Sequence, residues 1–171
     1  MKKYKIYLTL IALVFSVLLF AGCSDNNQSG GTFSEPDITV DYLPGEYADQ
    51  LLRDGAEHIF GNIKIETMED GTFMIHITAK ELVKEESLPN GYYIADRNIN
   101  YSYPLALEAR TTFISDSLNV ANVLTAEEFV DSHIEEIEKH INDDTNYEET
   151  KFYNIYVMNG QIELILAQYL Q

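Results

Sequence analysis

The sequence predicts an α+β domain in which two helices pack on a curved antiparallel sheet. Three observations carry that expectation: apolar residues alternate with period two across Asp-Gly and Asn-Gly turns, two stretches have helical three-and-four spacing, and the order is helix, strands, helix, terminal hairpin.

Residues 46–61, "EYADQLLRDGAEHIFG", place Ala48, Leu51, Leu52, Gly55, Ala56, Ile59 and Phe60 at helical spacing, and Gly61 closes this first helix. Gly55 in its middle costs about 1 kcal/mol relative to Ala, which points to a close backbone approach there. Ile63 and Ile65, then Phe73, Ile75, Ile77 and Ala79, alternate with polar neighbours on either side of Glu69-Asp70-Gly71, the pattern of a hairpin. Pro89-Asn90-Gly91 turns the chain into "GYYIAD", and "YPLALEARTTFI" sets Leu105, Leu107, Ala109, Thr111 and Phe113 on one face of a further strand. Thr125 followed by Glu128 has the capping-box form and opens a second helix over 126–141, with Phe129, Val130, Ile134, Ile137 and Ile141 as its apolar stripe. Asn159-Gly160 suits a two-residue type I′ turn, so that Val157 faces Ile162, Ile155 faces Leu164 and Tyr153 faces Leu166, all on one side. A small, partly closed barrel resembling the OB fold, with a helix ahead of its last two strands, is one specific form this order suits. Such barrels host unrelated functions, so the fold assigns none.

Ahead of this domain the chain begins Met1-Lys2-Lys3-Tyr4-Lys5 and runs into 16 largely apolar residues, 6–21. Basic start, apolar centre and small-residue exit are the layout of a secretory signal, and the run is short of the about 20 residues a spanning helix needs. Phe20-Ala21-Gly22-Cys23 then resembles the lipobox of bacterial lipoproteins. The resemblance implies cleavage before Cys23, diacylation of its sulfur, and a protein held on the outer side of the cell membrane. Cys23 is the one cysteine of the 171 residues, so it has no internal disulfide partner, and acylation consumes a thiol that would otherwise stand exposed. Two acyl chains give stable retention where one gives marginal binding. Three parts follow: a signal peptide over 1–22, the lipidated Cys23 with a flexible tether over 23–37, and one globular domain over 38–171. The polar residues 24–37 give a reach of roughly 20 Å.

Cleavage would leave 8 basic and 28 acidic side chains on 149 residues, a formal charge of −20. Such a chain is unsuited to nucleic acid, whose phosphates need Lys and Arg, or to anionic headgroups, and it favours cations or a basic protein or peptide as partner. The segments "NGYYIADRNINYSYPLALEARTTFI" and "YVMNGQIELILAQYL" are similar to small exported domains, of no assigned activity, from Bacillus-like Gram-positive bacteria. That similarity implies a fold type and a source and carries no site residues.

Motif chemistry is sparse. The sequence has no Gly-x-Ser-x-Gly elbow and no phosphate-cradling glycine pattern, and it implies no cofactor. His133, Glu136 and His140 share one face of the second helix. The two histidines are about 10.5 Å apart along the axis, too far to grip one ion, whereas Glu136 and His140 form a possible metal-binding pair. The simpler reading makes His133 and His140 edge residues of the apolar stripe. Asp96, Asn98 and Asn100 occupy the alternating positions that open an EF-hand loop, but Tyr101 and Leu107 stand where Gly and a bidentate Glu belong, so loop residues using Asx turns are the simpler reading. Tyr92, Tyr93, Tyr101 and Tyr103 could form a stacking surface for a glycan or peptide, although alternation sends about half of them inward. The expectation is a lipid-anchored, extracytoplasmic binding module without catalysis. A carboxylate-dependent envelope hydrolase and a cation-responsive sensor are the alternatives.

Overall fold

The computed structural model describes residues 38–117, 120–142 and 147–170. The signal peptide, Cys23 and the tether lie outside the described residues. After a π-helical turn at Leu43–Tyr47 come helix α1 (Ala48–Arg53), strands β1 (Glu57–Thr67), β2 (Phe73–Lys84), β3 (Tyr92–Ile114) and β4 (Ala121–Leu124), and helix α2 (Ala126–Lys139). A 3-10 turn at Tyr147–Thr150 leads into β5 (Phe152–Met158) and β6 (Gln161–Gln168). No helix among the described residues is long and apolar enough to cross a membrane.

The fold is α+β and mostly sheet. The six strands are ordered β2-β1-β5-β6-β3-β4, and β2 also pairs with β3, so five strands form a ring with β4 attached to β3. The pairs are antiparallel except β3 with β6, which is parallel. Inside lie Ile63, Ile75, Ile77, Phe113, Phe129, Tyr153, Ile155 and Ile162, each at most 5% exposed. A second cluster seats the π-helical turn, through Leu43, and α1, through Ala48 and Leu51, on Tyr156, Leu164 and Leu166.

The first helix is shorter than the sequence predicts. Gly55 has φ +97, the amide of Ala56 donates to the Leu51 carbonyl, and that of Gly55 to Leu52, a Schellman ending that releases the chain into β1. Gly55 is therefore the stop rather than a close approach. The close approach belongs to Gly61, where a Cβ would lie 2.3 Å from the Thr78 carbonyl oxygen across β1 and β2. Ile59 and Phe60 belong to the strand.

In β3, Leu105 pairs with Ile162 and Arg110 with Leu164, so five positions of one strand advance against two of the other. This bulge throws Leu107 out to 90% exposure, while Leu105, Ala109, Thr111 and Phe113 are buried as alternation requires. A smaller shift acts in the terminal hairpin. Asn159 and Gly160 both have positive φ, as a type I′ turn requires, and Val157 does pair with Ile162. Tyr156 then pairs with Leu164 and Ile155 with Ile165, because Glu163 is an extra residue in β6. One inserted residue sends Leu164 and Leu166 to the opposite face, where α1 covers them.

Helix α2 begins with the expected box: the Glu128 amide donates to Thr125 Oγ1 and the Thr125 amide to Glu128 Oε2. Its buried face is rotated from the predicted stripe. Ala126, Phe129, Val130, His133 and Glu136 face inward, while Ile134 and Ile141 are exposed. Tyr153, Ile155, Val157, Ile162 and Ile165 of β5 and β6 already fill the ring, so the C-terminal half of α2 reaches past the apolar core to polar loops.

Candidate functional site

Three segments meet beyond the end of the core: the turn after β3, the last turn of α2, and the 3-10 turn that leads into β5. Each contributes polar side chains. Glu136 and His140 are four apart on α2 and its C-cap, hence stacked on one face. Asp116, from the turn after β3, completes a group whose ligating atoms all lie within 4.8 Å of one another. His140 Nε2 is 3.3 Å from Asp116 Oδ2, and Lys151 Nζ is 2.5 Å from Asp116 Oδ1.

Glu136 is 6% exposed and ties the segments together. Its Oε1 accepts the Asp116 amide at 2.9 Å and the Tyr147 hydroxyl at 3.4 Å, and its Oε2 accepts Lys139 at 3.3 Å. The Tyr147 ring stacks on His140 with centroids 4.1 Å apart, and the Lys151 ammonium sits 5.0 Å from the same ring. Burial pushes the Asp116 carboxyl up, but hydrogen bonds from Lys151 and Tyr147 and the charges of Lys151 and His140 outweigh it, holding the group below the ordinary value. Glu136 follows the same pattern: burial raises it, and the Asp116 amide and Lys139 more than offset the rise. Tyr147 is pushed far up, first by burial and then by its bond and proximity to Asp116, so it remains a hydroxyl donor.

Beside this group opens a cleft of about 260 Å³. Asp116, Thr150, Lys151 and Gln168 supply its polar lining, and Tyr147, Phe152, Tyr153 and Tyr169 its aromatic walls. Two carboxylates held ionised can grip a cation or a donor. They are poorly disposed to act as the proton donor of a glycoside hydrolase, whose acid needs a raised pKa.

The other residues singled out from sequence go elsewhere. His133 is 2% exposed in the core, stacked on Phe129 and 3.3 Å from the Tyr153 hydroxyl through Nδ1, so it is no edge residue. Burial, assisted by the charge of Lys151, lowers its pKa to about 4 and keeps it neutral. Asp96, Asn98 and Asn100 lie within β3 rather than in a loop: pairing passes from Thr78–Asn100 to Lys80–Asp96, so the strand bulges, and Asn98 there takes φ +53. Asp96 is bound to Lys80 at 3.0 Å. Tyr101 and Tyr103 stack on each other and pack against the core, Tyr92 is half-buried, and Tyr93 is 47% exposed. Sequence reasoning missed Asp116, Tyr147 and Lys151. No local pattern marks them, because their meeting depends on where β3 ends and β5 begins. Comparison with protein-family models, with curated proteins and with solved structures finds no match for this chain.

Proposed function

We propose that the protein is a lipid-anchored, extracytoplasmic binding module that works without catalysis, and that it holds a segment of a basic protein or peptide in the cleft beside Asp116. The observation that carries this reading is the cleft itself, with aromatic walls around a partly exposed carboxylate. Aromatic lining with few, well-placed polar groups is the usual composition of a ligand pocket. The strongly acidic composition favours a cationic partner. We further read the ring as OB-like: its order β1-β2-β3-β6-β5, its one parallel pair and its helix between β3 and β5 support that form.

The anchor is tested by metabolic labelling with a fatty acid. Cys23→Ser is expected to abolish the label, and persistent labelling overturns the assignment. The cleft is tested by placing a photo-crosslinking residue at Thr150 in living cells, with Glu86 in the β2–β3 turn as the control position. Adducts to a basic partner at Thr150 that vanish with Tyr169→Ala support the reading, and equal adducts at both positions, or none, count against it.

A further inference from the structure

Asp116 and Glu136 each present a carboxylate in which one oxygen is already held: Lys151 Nζ donates to Asp116 Oδ1, and the Asp116 amide donates to Glu136 Oε1. Together with His140 each of them offers one ligating atom, and the three atoms lie within 4.8 Å of one another. We propose that Asp116, Glu136 and His140 bind one divalent transition-metal ion of the zinc class.

Donor chemistry selects the class. Calcium and magnesium take oxygen ligands, whereas an imidazole with two carboxylates suits zinc and its neighbours. Distance agrees: the 3.3 Å between His140 Nε2 and Asp116 Oδ2 is the edge of a tetrahedron with bonds of about 2.0 Å. Glu136 and His140 have the four-residue helical spacing by which two side chains reach one ion. Lys151 and the Asp116 amide serve as outer partners that fix the carboxylates, the arrangement that raises affinity in metal sites. Lys139, an exposed ammonium 3.3 Å from Glu136 Oε2, is the group a dication would displace. Three protein ligands leave the remaining position to water or to an occupant of the cleft that Asp116 lines.

The inference goes beyond the binding reading and does not depend on it, since the metal is titrated alone. The untagged full chain carrying Cys23→Ser, which removes the sole thiol, is stripped of metal and titrated with zinc chloride near neutral pH by calorimetry. One ion per chain is expected. His140→Gln and Asp116→Asn should each weaken binding by at least about tenfold, with unchanged far-ultraviolet circular dichroism, while His58→Gln and His76→Gln leave it intact. Cobalt loading gives a second readout, the strong visible absorption of a four-coordinate ion, absent in His140→Gln. No saturable binding overturns the proposal. So does binding that survives both His140→Gln and Asp116→Asn, or that is lost with His58→Gln or His76→Gln.

Discussion

His133 and His140 lie on the same side of α2, seven residues apart, and live in opposite environments. His133 is sealed among Phe129 and Tyr153, neutral, with Nε2 unpartnered among the described residues. His140 is partly exposed at the C-cap, stacked on Tyr147 and paired with Asp116. The difference comes from what each turn of the helix meets. The first two turns face the apolar interior of the strand ring, and the last turn overhangs its end, where only loops remain to pack against. The same residue type is thus packing material at one end and a polar partner at the other.

The comparison is broken most severely at its apolar end. Phe129 is fully buried and makes edge contacts with Phe113 and Tyr153, so Phe129→Ala should destabilise the domain by about 3 to 5 kcal/mol in urea denaturation. The cleft-side pairing of His140 with Asp116 sits outside that cluster and should persist in the folded variant.

Acid sharpens the contrast. The folded His133 titrates near 4 and the unfolded one near 6.5, so the unfolded chain takes up the proton first as pH falls. Its contribution is therefore whole above about 6.5 and is lost between 6.5 and 4, a total of about 3 kcal/mol. Denaturation at stepped pH should show that loss in the wild type and a flatter profile in His133→Phe, which keeps the ring stack. Asp116 and Glu136, both held below their ordinary values, act in a lower window: their contribution is present above the unfolded carboxylate range and disappears as pH drops through their folded values.

The smallest of the three effects is at the polar end. Glu136→Gln keeps the shape but removes the charge that the Asp116 amide, Tyr147 and Lys139 share, and should cost about 2 kcal/mol. A loss of that size confirms Glu136 as the tie between α2 and the turn after β3. No loss would mean that its partners are satisfied as well by water.

Much of the fold was legible because local rules are strong where they apply. The Thr125–Glu128 cap, the Asn159-Gly160 turn and the alternation of Phe73 to Ala79 each occur where the residues indicate. Reading failed at three places where a local irregularity interrupts a periodic pattern. Gly55 stopped a helix that periodicity alone would continue, the β3 bulge exposed Leu107, and the extra Glu163 turned Leu164 and Leu166 outward. Of the candidate site, the Glu136–His140 pair was visible through helical spacing. Asp116, Tyr147 and Lys151 were not, since they are 20, 11 and 15 positions from Glu136 along the chain and no periodicity spans such gaps.

By itself the sequence determined most of the element types, the two principal turns, the acidic charge and the resemblance of Phe20-Ala21-Gly22-Cys23 to a lipidation signal, because each depends on neighbours within a few residues. Only the tertiary structure decided that the strands pair in a ring, that α2 buries His133 and Glu136 in place of Ile134 and Ile141, and that Asp116 joins Glu136 and His140. Those outcomes depend on which surfaces meet after the chain has turned back on itself, and burial, unlike propensity, is a property of the meeting.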